Sequence, residues 1–470
     1  MLSRIGTGAL ASLLWLSSST AIGQVALPEL EGAWLGTMQI PDGPKLRVGV
    51  EIFKKADGRW GGNVASLDQG VRYMLVSSVE VKDETVKVEL AGAPVSISGT
   101  FDPEARTITG KFTQEDKDIA LALESVAALP EINRPQTPSG DAPYRQSEVR
   151  IHNALDDVWL AGTLTAPSGS EPHPAVLLIA GSGPNQRDSY FAGHRPFKVM
   201  ADYLARQGYV VLQTDKRGVY KSSGDFGKAT IADFVRDARA AIHFLQHDAR
   251  VDPTRIALIG HSEGSMVAAM VATTEKVNTI VSMAGPGMSV LDTLLLQDQT
   301  EPAAKGATEA DTRVLLDFSR KFYQTVLDTA DRVQRKKKLQ ALYDNLSAQD
   351  APIVDKWNDR SGTLNVDNAS SESFFHFLQD DPAPSWRKVS VPVLVLQGDK
   401  DSQVAAHESV DAILAALQQD PAPAKSRIFQ GLNHMFQTAR TGATDEYGKI
   451  DESISPLVLS TIAQWLDKVE

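Results

Sequence analysis

The sequence predicts a small antiparallel β domain followed by a larger α/β domain, in which a helical lid is inserted into a parallel sheet. Three observations predict this organisation. Short β-rich stretches alternate with turn signals in residues 24–129, prolines crowd residues 130–143, and continuous apolar stretches alternate with helical ones in residues 144–470. A length of 470 residues, with 42% hydrophobic and 23% charged residues, suits two globular domains and excludes disordered, collagen-like and coiled-coil chains.

The composition also excludes several functional classes. The chain has no cysteine, which excludes disulfides, thiolate metal sites and a cysteine nucleophile. The formal net charge is −12, and an acidic protein repels phosphate backbones and anionic membrane surfaces, so we expect no nucleic-acid partner. Neither an HExxH motif nor a P-loop occurs in the sequence, and we expect no metal and no cofactor.

The N-terminal 23 residues are typical of an export signal. Arg4 supplies a positive charge, residues 5–16 are apolar or small, and Ala21 and Gly23 offer the small side chains that a signal peptidase requires. We therefore expect a mature protein that begins at Gln24 and is periplasmic or secreted. The apolar run is too short to span a bilayer, so we expect no stable membrane insertion.

The β domain is expected at residues 24–129. Its β-rich stretches are residues 34–40, 45–53, 61–66, 74–81, 85–90, 95–101, 107–112 and 119–124. This spacing is typical of a small antiparallel sandwich or barrel. The domain carries no catalytic constellation, so we favour a structural role over ligand binding. A proline-rich linker, residues 130–143, follows it.

The α/β domain is expected at residues 144–470. Its apolar strands are residues 175–180, 209–215, 255–260, 279–285, 391–398 and 426–431, and its helices are residues 196–206, 231–246, 404–417 and 454–466. The interval of residues 287–384 is helical, polar and charged, and it separates two core strands, so we interpret it as a lid. We interpret the basic run at residues 332–338 as a solvated helix face rather than an anion site.

The motif Gly260-His261-Ser262-Glu263-Gly264 lies directly between an apolar strand and a helical stretch. A tight turn between a strand and a helix raises the hydroxyl of its central serine above the sheet, at the N-terminus of the helix. The flanking positions must be glycine, because side chains there would collide. A GxSxG string alone is weak evidence, but in this context it indicates that Ser262 is a nucleophile.

A nucleophilic serine requires a histidine base that is held by an acid. In this type of fold the acid and then the histidine follow the serine, each on a loop that leaves a strand. His434 follows the last core strand, and Asp399 and Asp401 follow the strand before it. We prefer Asp401 as the acid, with Asp399 bonded to the turn, and we expect His261 to be structural.

The developing oxyanion requires backbone N–H groups. One should come from Glu263, immediately after the nucleophile. The second should come from the loop that follows an early strand, where we prefer Ser182 and leave its neighbour Gly183 open.

Together these residues resemble the α/β-hydrolase superfamily, specifically bacterial carboxylesterases that are related to serine aminopeptidases and carry an N-terminal lipocalin-like β domain. Besides the elbow, the resemblance rests on Ala180-Gly181-Ser182-Gly183-Pro184, Arg187-Asp188, Asp215-Lys216-Arg217-Gly218, Phe374-Phe375, Asp381-Pro382, Gly398-Asp399-Lys400-Asp401-Ser402-Gln403-Val404 and Leu432-Asn433-His434-Met435-Phe436. The resemblance implies an acid at Asp401 and cleavage of small carboxylic esters without a cofactor. One departure is Tyr220, since the family usually shows a second glycine after Arg217-Gly218.

We therefore expect a serine carboxylesterase that hydrolyses short-chain esters through Ser262, His434 and Asp401. An exopeptidase or a thioesterase would use the same residues, while the intact order of serine, acid and histidine disfavours a non-enzymatic binding protein. An aminopeptidase would need a lid carboxylate to bind the amine of its substrate. Acidic lid residues include Glu301, Glu309, Asp311 and Asp317.

The lid also contains an apolar segment, Phe374, Phe375, Phe377 and Leu378. Apolar walls near the serine would suit a short acyl chain, roughly acetyl to hexanoyl, because burial contributes about 0.8 kcal/mol per CH₂ until the pocket is full. The alternative is that these side chains anchor the lid to the core.

Overall fold

The computed structural model describes residues 28–41, 43–115, 117–140, 142–169, 171–358, 363–417 and 423–469. The expected export signal, residues 1–23, lies outside the described residues. Two sheets organise the described chain, an antiparallel sheet of nine strands and a mixed sheet of eight strands.

The first sheet lies in the N-terminal β region. Its strands are β1 (Gly32–Gln39), β2 (Lys45–Lys54), β3 (Trp60–Ser66), β4 (Val71–Met74), β5 (Val76–Lys82), β6 (Thr85–Leu90), β7 (Val95–Asp102), β8 (Thr107–Gln114) and β9 (Lys117–Val126). The spatial order is β4-β3-β2-β1-β9-β8-β7-β6-β5, and β5 packs against β3, so the sheet curls into a barrel-like form. The expected antiparallel β domain is confirmed.

One expected strand, residues 74–81, is instead divided between β4 and β5, with Leu75 between them. Strand β4 pairs with β3 and strand β5 pairs with β6, so the chain changes its partner strand at Leu75. Tyr73 lies inside β4 with a φ of 59°, in the left-handed region, and the register of β4 against β3 shifts beside it, as in a β-bulge.

Alternate residues of this sheet form the core of the β domain. Val48, Val50 and Ile52 of β2 are at most 2% exposed, as expected for one face of a strand with a period of two. The ring of Trp34 meets that of Phe101 edge to face inside the core, with ring centroids 5.6 Å apart.

The second sheet forms the centre of the α/β domain. Its strands are β10 (Tyr144–Asn153), β11 (Val158–Pro167), β12 (His173–Ile179), β13 (Val210–Thr214), β14 (Val251–His261), β15 (Thr279–Met283), β16 (Val393–Gly398) and β17 (Ala424–Phe429), in the order β10-β11-β13-β12-β14-β15-β16-β17. Strands β12 to β17 are parallel, whereas β10 and β11 are antiparallel. The sequence did not predict β10 or β11. In β10, exposed positions interrupt the apolar pattern and leave no continuous apolar run.

The part of the chain that the structure describes contains twelve α-helices, all in the α/β domain. They are α1 (Pro196–Arg206), α2 (Ile231–Gln246), α3 (Glu263–Ala272), α4 (Val290–Ala304), α5 (Glu309–Leu327), α6 (Arg332–Asp344), α7 (Ala351–Trp357), α8 (Val366–Ala369), α9 (Glu372–Phe377), α10 (Ala383–Trp386), α11 (Ala406–Leu417) and α12 (Pro456–Leu466). None of these helices is both long enough and apolar enough to cross a membrane.

Two hydrophobic cores lie on opposite faces of the mixed sheet. Along β12, Leu177 contributes to the core under α2, α3 and α11, while Val176 and Leu178 contribute to the core under α1 and α12. A sheet covered by helices on both faces places the carboxyl ends of its parallel strands at one edge. The expected α/β-hydrolase fold is confirmed.

Helices α4 to α10 lie between β15 and β16, at the interval interpreted as a lid. In α6 most basic side chains are exposed, but Arg335 is fully buried and donates hydrogen bonds to the carbonyl oxygens of Thr329 and Ser370. The expectation of a solvated basic face is therefore wrong for Arg335, which ties α6 to the segment before α9.

The segment between the two sheets packs on the α/β domain. Arg134, 7% exposed, donates hydrogen bonds of 2.7 Å to the carbonyl oxygens of Ala192 and Gly448. The side chain of Gln136 accepts a hydrogen bond from the backbone N–H of Ser453. These contacts fix the linker to the surface of the α/β domain.

Candidate active site

Ser262 lies between β14 and α3 with a φ of 54° and a ψ of −124°, a strained conformation for a residue other than glycine. Both flanking glycines are required by close backbone contacts. A Cβ atom on Gly260 would lie 2.2 Å from the carbonyl oxygen of Gly264, and one on Gly264 would lie 2.1 Å from that of Ile179. The turn therefore has the strain and the tight packing expected of a nucleophile elbow.

His434 and Asp401 meet on the loops that follow β17 and β16. His434 donates from Nδ1 to Asp401 Oδ2 over 2.8 Å, and the two side chains are 6% and 0% exposed. The other oxygen of Asp401 accepts the backbone N–H groups of Gln403 and Val404, each at 2.9 Å. A fixed carboxylate at Nδ1 leaves Nε2 of the neutral imidazole as the proton acceptor.

Gln397, a fully buried residue of β16, also holds Asp401. Its Nε2 donates to Asp401 Oδ2 at 3.0 Å and to the carbonyl oxygen of Val404 at 2.9 Å. Sequence reasoning missed this residue. The available signal was a polar side chain inside an otherwise apolar core strand, four residues before the acid.

Asp399 has a different partner from Asp401. Its Oδ1 accepts the backbone N–H of Gly431 at 2.6 Å, so it joins the loop after β16 to the loop after β17.

His261 connects the elbow to His434. Its Nε2 donates to the carbonyl oxygen of His434 over 2.9 Å, and the two ring centroids are 4.8 Å apart. Burial, together with the neighbouring His434, lowers the pKa of His261 to about 3. His261 is therefore neutral at physiological pH and supports the backbone of His434.

The loop after β12 approaches the elbow closely. A Cβ atom on Gly181 would lie 3.0 Å from the Cβ of Ser262, so only glycine permits this contact without a shift. Ser182 follows at an exposed position, and Asn185 donates from Nδ2 to the carbonyl oxygens of Gly181 and Ser182. Glu263 is the first residue of α3, where a helix leaves its backbone N–H groups free for a ligand.

Lys216 lies in the turn after β13 and is a second residue that the sequence did not assign to the site. Its Nζ donates to the carbonyl oxygen of Gly181 at 2.5 Å and to Oε1 of Glu263 at 2.8 Å. The side chains of Lys216 and Glu263 are only 9% and 8% exposed. The ammonium group therefore bridges the loop after β12 and the first turn of α3.

Residues 156–434 match the X-Pro dipeptidyl-peptidase (S15) family, and this match spans more than half of the chain. The chain belongs to the S15 family. Membership of this family, together with the esterase similarity below, confirms the serine-hydrolase class and the α/β-hydrolase resemblance expected from the sequence.

The S15-family chain is also similar to individual proteins. It is 24% identical to the esterase EstD of Thermotoga maritima over 400 residues, which cover 85% of this chain and 82% of the relative. A crystal structure of a hypothetical protein from Pseudomonas aeruginosa matches at 17% identity and a TM-score of 0.45, covering 72% of this chain and 99% of the other. An esterase of Pyrococcus furiosus matches at 14% identity and a TM-score of 0.41, covering 72% and 97%.

The four acidic lid residues singled out in this S15-family chain differ in their surroundings. Glu309 and Asp317 are exposed, and Asp311 accepts a hydrogen bond from the indole N–H of Trp357. Burial opposes ionisation of Glu301, but hydrogen bonds from Lys305, Ser402 and Thr444 outweigh it and lower its pKa. Glu309, Asp311 and Asp317 are thus exposed to solvent or hydrogen-bonded within the lid. Glu301 instead accepts hydrogen bonds from outside the lid, from Ser402 in the loop after β16 and from Thr444.

A fifth lid carboxylate, Asp380, interacts electrostatically with Glu263, the first residue of α3. It is half-buried, and burial together with the charge of Glu263 raises its pKa to about 6, against the opposing effect of His376. Within the described part of the chain, no three histidine and carboxylate side chains are grouped as metal ligands.

The aromatic lid segment makes its contacts mainly within the lid. Phe374 is 6% exposed and its ring centroid lies 6.4 Å from that of Tyr323, while the guanidinium of Arg335 lies 4.6 Å from the ring centroid of Phe375. Leu378 is 2% exposed in the same core. These contacts favour the anchoring role for Phe374 and Phe375.

Proposed function

We propose that the protein is a serine carboxylesterase that hydrolyses short-chain carboxylic esters through Ser262, His434 and Asp401. One observation carries the proposal: the buried hydrogen bond between His434 and Asp401 lies beside a strained serine elbow, whose His261 contacts His434. Similarity to the esterase EstD supports an ester substrate. Membership of the S15 family supports the serine-hydrolase chemistry.

The reaction follows from the arrangement of these groups. Ser262 Oγ attacks the carbonyl carbon of the ester, and Nε2 of His434 takes the hydroxyl proton. The carbonyl oxygen becomes an oxyanion, which the backbone N–H groups of Ser182 and Glu263 stabilise. When the tetrahedral intermediate collapses, the C–O bond to the alcohol breaks, and His434 gives its proton to the leaving alkoxide.

Water completes the cycle on the acyl-enzyme. His434 takes a proton from the water as its oxygen attacks the acyl carbon, and a second tetrahedral intermediate forms. Its collapse breaks the bond to Ser262 Oγ, which recovers the proton from His434, and the carboxylic acid leaves. Asp401 orients the imidazole and stabilises the imidazolium in both halves of the reaction.

Replacement of the nucleophile tests the proposal. Ser262→Ala should lower kcat for p-nitrophenyl butyrate by about 10⁴-fold or more, and it should abolish labelling by a fluorophosphonate probe. Ser265→Ala is the matched control, since this hydroxyl lies in α3, three residues after Ser262, and is bonded to the hydroxyl of Ser282. Comparable activity of Ser262→Ala and the wild type would show that the proposed chemistry is wrong.

An exopeptidase is the second candidate, favoured by the S15 family and by the half-buried carboxylate of Asp380 near Glu263. A panel should compare p-nitrophenyl butyrate with a butyryl thioester, an aminoacyl p-nitroanilide and an X-Pro p-nitroanilide. We expect the highest kcat/KM for the butyrate ester. A higher value for either anilide would replace the esterase proposal with a peptidase, and a higher value for the thioester would indicate a thioesterase.

We further propose that the protein is exported, on the basis of the charge and apolar pattern before Gln24. Intact-mass analysis of the protein from its native host should give a chain beginning at Gln24. Retention of Met1 would contradict export by signal cleavage.

A further inference from the structure

We propose that Lys216 is a positioning residue that sets the oxyanion hole, and that the β domain keeps Lys216 in place through Tyr220. This inference rests on the proposed esterase function. It assigns a catalytic consequence to the β domain, which contributes no residue to the triad.

A single peptide group joins Gly181 to Ser182 in the loop after β12. The carbonyl of Gly181 and the N–H of Ser182 belong to the same planar trans peptide, so they point in opposite directions. Lys216 Nζ donates to this carbonyl oxygen at 2.5 Å, which fixes the direction of the N–H on the other side. A charged donor at the carbonyl also polarises the peptide and strengthens its N–H as a donor.

The second oxyanion donor is held by the same ammonium group. Lys216 Nζ lies 2.8 Å from Oε1 of Glu263, the residue whose backbone N–H is the other proposed donor. Nζ also lies 4.3 Å from the ring centroid of Phe234, a cation–π contact that further restricts its position. Because Lys216 is only 9% exposed, solvent and salt screen these interactions weakly.

Lys216 is carried by a turn with its own anchors. The buried carboxylate of Asp215 accepts hydrogen bonds from the backbone N–H and the guanidinium of Arg187 and from the backbone N–H of Lys221. The backbone N–H of Lys216 donates to the carbonyl oxygen of Asn185. The turn and the loop after β12 are therefore one hydrogen-bonded unit.

Tyr220 connects this turn to the β domain. Its φ of 45° lies in the left-handed region, where the resembling family usually has glycine. Its ring centroid lies 4.8 Å from that of Phe53 and 5.6 Å from that of Tyr73, both in the β domain. The backbone N–H of Ala56 also donates to the carbonyl oxygen of Lys221 at 2.7 Å.

Phe53 lies on the outer face of β2, opposite the core positions Val50 and Ile52, yet it is only 7% exposed. The contact between the rings of Phe53 and Tyr220 accounts for the burial of Phe53 on the outer face of the barrel. The strained tyrosine is thus retained by aromatic contacts that exist only when the two domains are together.

Steady-state kinetics with p-nitrophenyl butyrate test the role of Lys216. Because an oxyanion exists in the transition state and not in the bound ester, Lys216→Met should lower kcat on the order of 10- to 100-fold with KM changed less than about threefold. Lys216→Arg should recover part of kcat, since arginine keeps a charged donor. An unchanged kcat, or a loss that appears only in KM, would overturn the proposal.

The test must distinguish a loss of kcat caused by misfolding from one caused by a misplaced oxyanion hole. Lys216→Met leaves the Glu263 carboxylate buried without its cation, so the double variant Lys216→Met with Glu263→Gln should also be measured. Both variants are compared with the wild type by circular dichroism and Tm. A folded double variant with wild-type kcat would equally overturn the proposal.

A double-mutant cycle tests the contribution of the β domain. Tyr220→Gly should lower kcat several-fold alone but cause little further loss in the Lys216→Met background, because it acts through Lys216. Phe53→Leu should resemble Tyr220→Gly, whereas the matched control Phe112→Leu, in the core of the barrel, should leave kcat unchanged. Fully additive losses for Tyr220→Gly and Lys216→Met would show that the β domain does not act through Lys216.

Failure of this inference is distinguishable from failure of the esterase proposal. If Ser262→Ala abolishes hydrolysis and Lys216→Met does not lower kcat, only the role of Lys216 is wrong. If Ser262→Ala hydrolyses the ester as well as the wild type does, the proposed function itself is wrong.

Discussion

The two aspartates after β16 make different hydrogen bonds, and the proposed catalytic acid is the one that contacts the histidine. Asp401 accepts a hydrogen bond from His434, whereas Asp399 accepts one from the backbone N–H of Gly431. Asp401→Asn should therefore lower kcat by about 10⁴-fold, because an amide favours the wrong histidine tautomer. Asp399→Asn keeps an acceptor for Gly431 and should cost far less. The proposed assignment is wrong if a folded Asp399→Asn variant proves the more damaging in kcat measurements.

The sequence could place Ser262, Asp401 and His434 because each follows a core strand, and parallel strands end at one edge of a sheet. It could not identify Gln397 or Lys216 as supporting residues. Their roles depend on hydrogen bonds between loops that are distant in the chain, and local periodicity carries no information about such contacts.

Helix α4 of the lid is joined to the loop that bears the acid. Glu301 accepts hydrogen bonds from the hydroxyl of Ser402 and from the backbone N–H of Thr444, and Thr300 donates to the carbonyl oxygen of Ser402. The residue after Asp401 is thus held by the first lid helix. Glu301 was one of the candidate lid ligands for a substrate amine, but its carboxylate is already hydrogen-bonded to Ser402 and Thr444.

Removal of the Glu301 carboxylate should loosen that connection. Glu301→Ala leaves the backbone N–H of Thr444 without its acceptor, while the hydroxyl of Ser402 can still donate to the carbonyl oxygen of Gly442. The variant should cost about 1–3 kcal/mol of stability. Glu309→Ala, an exposed first-turn acid of α5, is the matched control. Thermal unfolding and hydrogen exchange of α4 should separate the two variants, and equal behaviour would show that the contact is not stabilising.

The elements themselves were predictable to different degrees. The parallel strands and the helices that flank them have strong apolar patterns, and α1 and α2 begin and end where the sequence predicts. The antiparallel strand β10 was missed because its exposed positions interrupt the apolar pattern. The break at Leu75 was missed because β4 pairs with β3 while β5 pairs with β6, and local periodicity carries no information about strand pairing.

Two buried histidines make the stability of the whole molecule depend on pH. The pKa of His261 is lowered to about 3 by burial and by His434, and that of His194 to about 4 by burial and by the charge of Arg134. In an unfolded chain both histidines become protonated below about pH 6.5, whereas in the folded protein they stay neutral to a lower pH. The free energy of unfolding therefore decreases as the pH falls from about 6.5 towards 4. Each histidine accounts for a loss on the order of 3 kcal/mol at pH 4.

Thermal unfolding at pH 7.5 and pH 4.5 checks this expectation. His194→Gln can still bond to Ser453 but does not titrate, so its Tm should fall less than that of the wild type on acidification. An equal fall in both proteins would show that His194 does not contribute to the acid sensitivity.

Removal of the β domain tests how the two sheets cooperate. A chain starting near Gln146 lacks the first two residues of β10, the contacts of Arg134, and the rings that pack on Tyr220. It should still react with a serine-directed probe, but with lower kcat and lower solubility than the full chain. A folded truncation that does not react at all would mean that the β domain is part of the site.

The linker affects whether the two domains unfold together or separately. A proline-rich segment between two domains usually suggests a flexible tether, but here Arg134 places its guanidinium among carbonyl oxygens of the α/β domain. With the linker held in this way, detaching the β domain would uncover Phe53 and Tyr220, which pack on each other across the two domains. The two sheets should consequently melt as one cooperative unit, with a single calorimetric peak and equal calorimetric and van't Hoff enthalpies.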